Sequence, residues 1–170
     1  MPASTERSPR SSARPAAGGI QLDRTMTYRL HLLHKLSDRD SQLAYLTDAG
    51  LQLSEARCLG AIGSFAPLSV KDLALRANLD KGQASRAAQA LVERELVQKE
   101  ASGTDGRGVV LTLTRKGTHA WQRVMQVIAR RNQEVFGCLT AAEQKQLSRL
   151  FDRMIAHSRA KDGSAADADE

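Results

Sequence analysis

Five hydrogen-bonding side chains follow one another closely within nine residues of the chain: Lys81, Gln83, Ser85, Arg86 and Gln89. No acidic residue follows them until Glu93. Ammonium, guanidinium, amide and hydroxyl groups bind phosphate oxygens and the hydrogen-bonding edges of bases. We therefore predict that this stretch contacts nucleic acid. An ordinary solvent-facing helix is the alternative, because the outer face of any surface helix is polar.

A single arginine stands in a glycine-rich segment further along the chain. Arg107 lies between Gly106 and Gly108, near the end of a stretch that starts at Ala101. The narrow and electronegative minor groove of DNA favours an inserted arginine. The glycine neighbours add little bulk that would block such an approach. We predict that Arg107 enters a groove, with a solvent-exposed turn residue as the alternative.

A helix-turn-helix followed by a β-hairpin would hold these groups in place. N-caps at Ser69 and Asp80 predict two helices, over about residues 70–77 and 81–95. The two segments that flank the glycine-rich turn are predicted to pair as strands: residues 96–100, and residues 109–114, which are rich in β-branched residues. A β-hairpin directly after a helix-turn-helix forms a winged helix. The predicted fold class is therefore mainly α with a small β-hairpin wing.

Long helices are predicted on both sides of this winged helix, over about residues 22–47 and 117–160. Their apolar residues recur at steps of three and four, which gives each helix an apolar stripe. Each stripe must be buried, either in the core of its own chain or against a second copy. We expect N- and C-terminal dimerisation helices around a DNA-binding lobe at about residues 50–115.

Composition and missing motifs limit the class of protein. The chain has 170 residues and a net charge of +6. No run approaches the roughly 18–20 apolar residues of a membrane span. Motifs for phosphate-binding loops, zinc peptidases and serine hydrolases are absent. We expect a cytoplasmic protein that is not an enzyme, contacts no membrane, and has no cofactor, catalytic residue or metal site.

The ends of the chain differ in charge from its centre. Residues 162–170 hold four acidic residues and no basic one, so the rest of the chain is more basic than the net charge suggests. The first twenty residues are rich in Ser, Pro, Arg and Ala. The predicted organisation is a disordered basic arm at 1–20, a regulator domain at 21–160 and a disordered acidic tail at 161–170.

These segments together resemble the MarR (multiple-antibiotic-resistance regulator) family of winged-helix repressors. The similar stretches are Leu79–Arg86 and Asp105–Gly117, the second of which fits a D-x-R wing followed by L-T-x-x-G. The resemblance extends over about residues 22–160. Gly82 departs from it, because relatives often have Ser or Thr at that position.

The resemblance implies how the chain would bind DNA. Gln83, Ser85 and Arg86 would meet the major groove, Arg107 would enter the minor groove, and Asp105 would orient the wing. A two-fold homodimer would place two recognition helices roughly 34–36 Å apart on double-stranded DNA, the spacing of a pseudo-palindromic operator. The implied function is a ligand-responsive transcriptional regulator, in the first place a repressor.

The resemblance also implies a small anionic aromatic effector between the dimerisation helices and the lobe. The candidate contacts are Tyr28, His31, Arg57 and Trp121, which offer a phenol, two cationic groups and an aromatic surface. Each has a structural alternative. Arg57 can form an ion pair, His31 can pack within a dimer, and Trp121 can anchor the core.

Three rival readings use other residues or no specific site. Some relatives switch by thiol oxidation, for which Cys58 and Cys138 are the candidates, although both lie in apolar helical settings typical of inert thiols. His31 and His34 share a helix face and could bind a metal. A non-specific architectural DNA-binding protein would need only the basic charge.

Overall fold

A computed structural model describes residues 19–101 and 109–166, with side chains through residue 160. The elements are, in chain order, a 3-10 turn (Leu22–Arg24), α1 (Met26–Ala49), α2 (Leu53–Phe65), α3 (Val70–Ala77), α4 (Lys81–Glu93), β1 (Val97–Ala101), β2 (Val109–Leu113), α5 (Arg115–Phe136) and α6 (Ala141–Ala166). The strands pair antiparallel, with Val97 opposite Leu113 and Ala101 opposite Val109. This architecture confirms the predicted fold class, a mainly α winged helix-turn-helix flanked by long helices.

The helices α3 and α4 form the predicted helix-turn-helix, and each begins at its predicted cap. Ser69 Oγ accepts the Asp72 backbone N–H at 3.1 Å, and Asp80 Oδ1 accepts the Gln83 backbone N–H at 2.7 Å. These bonds satisfy donors that the first turn of a helix leaves open. Between the two helices, Asn78 adopts a left-handed conformation with φ 52°, which asparagine tolerates better than most residues.

The winged-helix lobe, from α2 to β2, has a core of aliphatic side chains. Its fully buried members come from all three helices and from the wing: Leu59, Ile62, Leu73, Leu91 and Leu111. Ala84, Ala87 and Ala88 are buried on the inner face of α4, as predicted. Because alanine side chains are short, α4 packs closely against α2 and α3.

The start of α5 is fixed to the base of the wing by two residues of the L-T-x-x-G segment. Thr114 Oγ1 accepts the Gly117 backbone N–H at 2.9 Å and donates to the Glu95 carbonyl at 2.7 Å. A Cβ on Gly117 would overlap the Leu96 carbonyl oxygen. Thr114 therefore caps the helix, and Gly117 lets its first turn approach the strand.

Two helices of the lobe have bounds that differ from the prediction. α2 begins at Leu53 rather than at Ser54, because the Glu55 carboxylate accepts the Gln52 backbone N–H at 3.0 Å and makes Gln52 the N-cap. α4 ends at Glu93 rather than near Glu95. Glu95 itself has φ 58°, and a left-handed residue just beyond a helix ends it.

The last helix begins where predicted but ends later. Glu143 accepts the Thr140 backbone N–H at 2.8 Å, and Thr140 Oγ1 accepts the Glu143 N–H at 3.3 Å, which completes the predicted capping box. α6 continues to Ala166. The first six residues of the predicted tail are thus helical. The predicted arm, apart from Gly19 and Ile20, and residues 167–170 lie outside the described residues.

The chain divides into two compact units, one ending at Leu36 and the other beginning at Ser37. The division falls inside α1. The later part of α1 belongs to the second unit because Tyr45 and Ala49 are buried there. Three ion pairs add to this packing: Asp38 with Arg57, Asp40 with Arg131, and Asp48 with Arg130.

The apolar stripes of the first and last helices are exposed in the single chain. In the first unit the exposed residues are Leu22, Met26, Leu30, Leu33 and Leu36, and on α6 they are Leu150, Met154 and Ile155. None of residues 141–160 is buried. For the stripe of α6, burial in the core of its own chain is therefore the wrong alternative.

Candidate nucleic-acid interface

The outer face of α4 presents the five predicted side chains. Lys81, Gln83, Ser85, Arg86 and Gln89 are all exposed. The Asp80 cap fixes the first turn of the helix, and the buried alanines fix its rotation. The rigid packing of the inner face thereby determines which donors point outward.

Gln89 is the one of these five whose side chain is held by its neighbours. Its Nε2 donates to Glu93 at 3.1 Å, and its Oε1 accepts a hydrogen bond from Lys99 Nζ at 3.1 Å. Lys99 lies on β1, so this pair of bonds connects α4 to the wing. Gln89 therefore has a positioning role even before any DNA contact is considered.

Two basic residues near α4, Arg94 and Lys116, are engaged with other parts of the chain. Arg94 donates to Glu55 at 3.0 Å, and Lys116 donates to the Arg94 carbonyl at 2.8 Å. Within the described part of the chain, no hydrogen bond or ion pair engages the side chains of Lys81 and Arg86. These two cations on the outer face of α4 are therefore available to a polyanion, and their placement matters more than the total charge.

The two candidates at the tip of the wing, Asp105 and Arg107, lie outside the described residues. The structure places the two strands that support them, β1 and β2, and Leu111 of β2 is fully buried in the lobe. Minor-groove insertion by Arg107 and orientation by Asp105 remain predictions from the sequence.

A cavity of about 500 Å³ opens beside α4. Its lining comes from α1, α2 and α4 and the turns before them: Asp38, Gln42, Gln52, Leu53, Ser54, Arg57, Leu79, Gln83, Arg86 and Ala87. Arg57 donates to Asp38 at 2.6 Å inside it, and both side chains are about 30% exposed. The structure therefore brings one predicted effector contact, Arg57, together with two predicted DNA contacts, Gln83 and Arg86.

The other predicted effector contacts are placed elsewhere. Tyr28 and His31 are exposed residues of α1 in the first unit. Trp121, on α5, packs against Gly63 of α2, where an added Cβ would overlap the indole ring. Its Nε1 is buried and has no hydrogen-bond partner among the described residues. Trp121 does not line the cavity that contains Arg57.

Asp38 and the polar wall of the cavity were not identified from the sequence. Asp38 precedes Arg57 by nineteen residues and lies on another helix, so no local spacing connects them. Arg57 itself was predicted through the resemblance to the MarR family. The remaining lining becomes recognisable only when the three elements are assembled.

The two cysteines differ in their surroundings. Cys58 is fully buried in α2, and burial raises the pKa of its thiol to about 12. A reactive cysteine needs the opposite shift, toward the thiolate. Cys138 is exposed. Within the described residues there is no group of three side chains suited to hold a metal and no helix long and apolar enough to cross a membrane.

Comparison with known proteins gives consistent matches. A sequence model of the MarR family matches residues 49–108. The HTH-type transcriptional repressor Rv2887 of Mycobacterium tuberculosis is 26% identical over 136 residues, which are 80% of this chain and 97% of that protein. The match thus extends over nearly the whole length of this repressor.

Solved structures show the same similarity in three dimensions. The crystal structure of Rv2887 in complex with salicylic acid has a TM-score of 0.64 and 26% identity, and covers 78% of this chain and 97% of that one. A MarR/EmrR family regulator from Acinetobacter sp. ADP1 has a TM-score of 0.75 and 23% identity, with 82% and 99% covered. The second likeness concerns the fold alone.

Proposed function

We propose that this chain, which is similar to MarR family transcriptional repressors in sequence and in its winged helix-turn-helix fold, binds a pseudo-palindromic operator as a homodimer and is released from it by a small aromatic acid. It would do so in the cytoplasm. The observation that carries the proposal is the cavity around Arg57, which adjoins the helix that presents donors to DNA. One small fold thus contains a DNA-reading surface and a polar pocket that share a wall.

The outer face of α4 supports operator recognition. Its amide and guanidinium groups are suited to base edges in the major groove, and Lys81 is suited to a phosphate. Arg107 would add a minor-groove contact from the wing. Base contacts specify sequence and phosphate contacts set affinity, so Gln83 and Lys81 would contribute in different ways.

The exposed stripes support the homodimer. Leu30 and Leu33 in the first unit, and Met154 and Ile155 on α6, are large apolar side chains exposed at regular helical spacing. Contiguous apolar surface of this kind marks an interaction surface in a protein that stays in solution. Association of two copies through these helices would place two lobes about one DNA turn apart, roughly 34–36 Å.

The chemistry of the cavity supports an aromatic monocarboxylate. Its volume is within the usual range for small-molecule sites. Arg57 offers two parallel N–H donors to a carboxylate, and Leu53 and Leu79 offer apolar surface to a ring. Ser54 and Gln42 can hydrogen-bond a ring hydroxyl. Salicylic acid, which the related Rv2887 binds, has all three features.

Release of the operator requires that the effector prefer one state of the protein. A ligand shifts an equilibrium only by its differential affinity for the two states, and coupling is reciprocal. If salicylate weakens operator binding tenfold, then operator DNA must weaken salicylate binding tenfold. This equality can be measured without knowing the physiological effector.

Binding to the DNA upstream of its own gene tests the proposal. We expect tight binding to a palindrome in that DNA, weakened by salicylate in the wild type and not in an Arg57→Gln variant. Arg123→Gln, an exposed arginine of α5, is the matched control. Equal binding to random DNA at physiological salt would indicate an architectural protein instead, and release by peroxide but not by aromatic acids would indicate a thiol switch.

The wing contributes a separate result in the same assay. Arg107→Ala should weaken operator binding and lower the slope of log affinity against log salt by about one. Gln83→Ala should instead relax sequence preference. Unchanged operator affinity in the Arg107 variant would remove the wing from the proposal.

A further inference from the structure

Two residues of α4 that face the cavity are also placed to face DNA. Gln83 and Arg86 are exposed on the recognition helix, yet both line the cavity that contains Arg57. We propose that Arg86 is shared: it binds the carboxylate of the effector together with Arg57, or it binds the operator, and it cannot do both. This inference rests on the proposed function and specifies how the effector would release DNA.

The charges in the cavity favour this role for Arg86. The lining contains two guanidinium groups, Arg57 and Arg86, and one carboxylate, Asp38. Asp38 is hydrogen-bonded to Arg57 at 2.6 Å, whereas no described residue forms an ion pair with Arg86. One positive charge is therefore left without a counter-charge in the lining. A ligand with a single carboxylate neutralises it, and one with two carboxylates would leave a surplus negative charge next to Asp38.

The start of α4 gives the Arg86 side chain room to move. Its guanidinium lies over the first turn of the helix, where a Cβ on Gly82 would be 3.3 Å from Nη1. The same Cβ would be 3.2 Å from Asp80 Oδ1. Gly82 thus leaves space that a side chain would narrow. An arginine without a fixed partner can turn toward either ligand at little cost.

A shared arginine has a consequence that a mere change in lobe spacing does not have. When effector and DNA compete for one side chain, removing that side chain lowers the affinity of the protein for both ligands. It also removes most of the antagonism between the two ligands. When the antagonism travels through movement of the lobes, it persists after Arg86 is lost. The coupling between the two ligands therefore distinguishes the two mechanisms.

The experiment measures the dissociation constant of salicylate by calorimetry, on the full chain alone and on its operator complex at low salt. In the wild type we expect salicylate to bind at least tenfold more weakly to the complex. In Arg86→Met we expect roughly tenfold weaker binding to the free protein, as for the loss of a charge-assisted hydrogen bond, and a ratio near one between complex and free protein. Lys81→Met is the matched control, an exposed cation of the same helix that does not line the cavity. This variant should weaken operator binding but leave both dissociation constants of salicylate unchanged.

The outcomes separate this inference from the proposed function. If Arg86→Met keeps the wild-type salicylate affinity and ratio while Arg57→Gln loses salicylate binding, Arg86 is not shared and only this inference fails. If neither salicylate nor benzoate binds the wild type, or if Arg57→Gln binds salicylate normally, the proposed effector site fails and the inference fails with it. Thermal unfolding of each variant controls for folding. No large change in melting temperature is expected for the variants of the two exposed residues, Lys81 and Arg86.

Discussion

The winged-helix lobe and the long terminal helices bury their apolar residues in opposite ways. In the lobe, Leu59, Leu73 and Leu91 are fully inaccessible to solvent, whereas Leu33 on α1 is 45% exposed and Met154 on α6 is 52% exposed. The lobe completes its core with its own residues. The apolar stripes of the first unit and of α6, by contrast, are exposed in the described part of the chain. Under the proposed function, the lobe would carry the DNA-binding chemistry and the exposed stripes would carry the association between copies.

The largest effect is expected from a change at the junction between these regions. Gly117→Ala would drive a Cβ into the Leu96 carbonyl, and backbone cannot move aside as a side chain can. We expect a loss of about 3 kcal/mol or more in the free energy of unfolding, the upper range for overpacking. Urea unfolding followed by circular dichroism measures it.

Gly60→Ala is the matched control for that variant. Its Cβ would meet Ile128 Cδ1 and Val124 Cγ1 at 3.8 Å, which is ordinary contact. Replacing a helical glycine by alanine then gains about 0.5–1 kcal/mol. Equal effects of the two substitutions would mean that the close approach of α5 to β1 does not matter for stability.

The second effect concerns the terminal helices alone. Leu33→Glu would place a charge on the stripe, and we expect the dissociation constant of the dimer to rise roughly 100-fold or more, through the loss of a buried leucine and the cost of burying the charge. Sedimentation equilibrium measures this constant. Leu75→Glu, on an exposed apolar residue of the lobe, should leave it unchanged. If both variants behave alike, the stripe is not the interface.

A smaller effect is expected from the cap of the recognition helix. Asp80→Ala removes the acceptor of the Gln83 N–H and should cost about 1 kcal/mol of stability. Because the first turn of α4 carries Lys81 and Gln83, operator affinity should fall several-fold as well. Asp80→Asn retains a side-chain acceptor and should retain most of the stability and most of the operator affinity. Full operator affinity in the alanine variant would show that the cap does not position the contacts.

These caps also show how far the sequence predicts the fold. Ser69, Asp80 and Thr140 are standard cap residues, and the helices that they start begin where predicted. Gln52 is an uncommon cap, whereas Ser54 is a residue type that often caps helices. The sequence therefore predicted the start of α2 at Ser54. The left-handed Glu95 has no signature, because glutamate rarely adopts that conformation, and the predicted α4 was therefore too long.

The site was less predictable than the fold. The donors on α4 lie within nine residues of the chain and could be recognised from local spacing. The cavity is built from three separate elements, and Arg57 was identified only through a family resemblance. Its partner Asp38 and the approach of Arg86 depend on how helices pack, which short-range patterns do not encode.

The smallest effect is a pH dependence at the start of α6. Hydrogen bonds from the Thr140 backbone and side chain lower the pKa of Glu143 below its ordinary value of 4.5. A lowered pKa in the folded state means that the contribution to stability is present above the unfolded value and is lost as pH falls through the folded one. We expect wild type and Glu143→Gln to differ slightly in melting temperature at pH 7 and to converge near pH 3. A difference that persists at pH 3 would contradict this origin.

The mass of the protein in solution tests the central claim most directly, namely that a second copy covers the terminal helices and so pairs two DNA-binding lobes. Sedimentation equilibrium at micromolar concentration, with and without operator DNA, gives this mass. The account predicts twice the chain mass of 18.5 kDa in both conditions, and two chains on each palindromic operator. A species of 18.5 kDa that binds a single half-site as tightly as the full palindrome would contradict it.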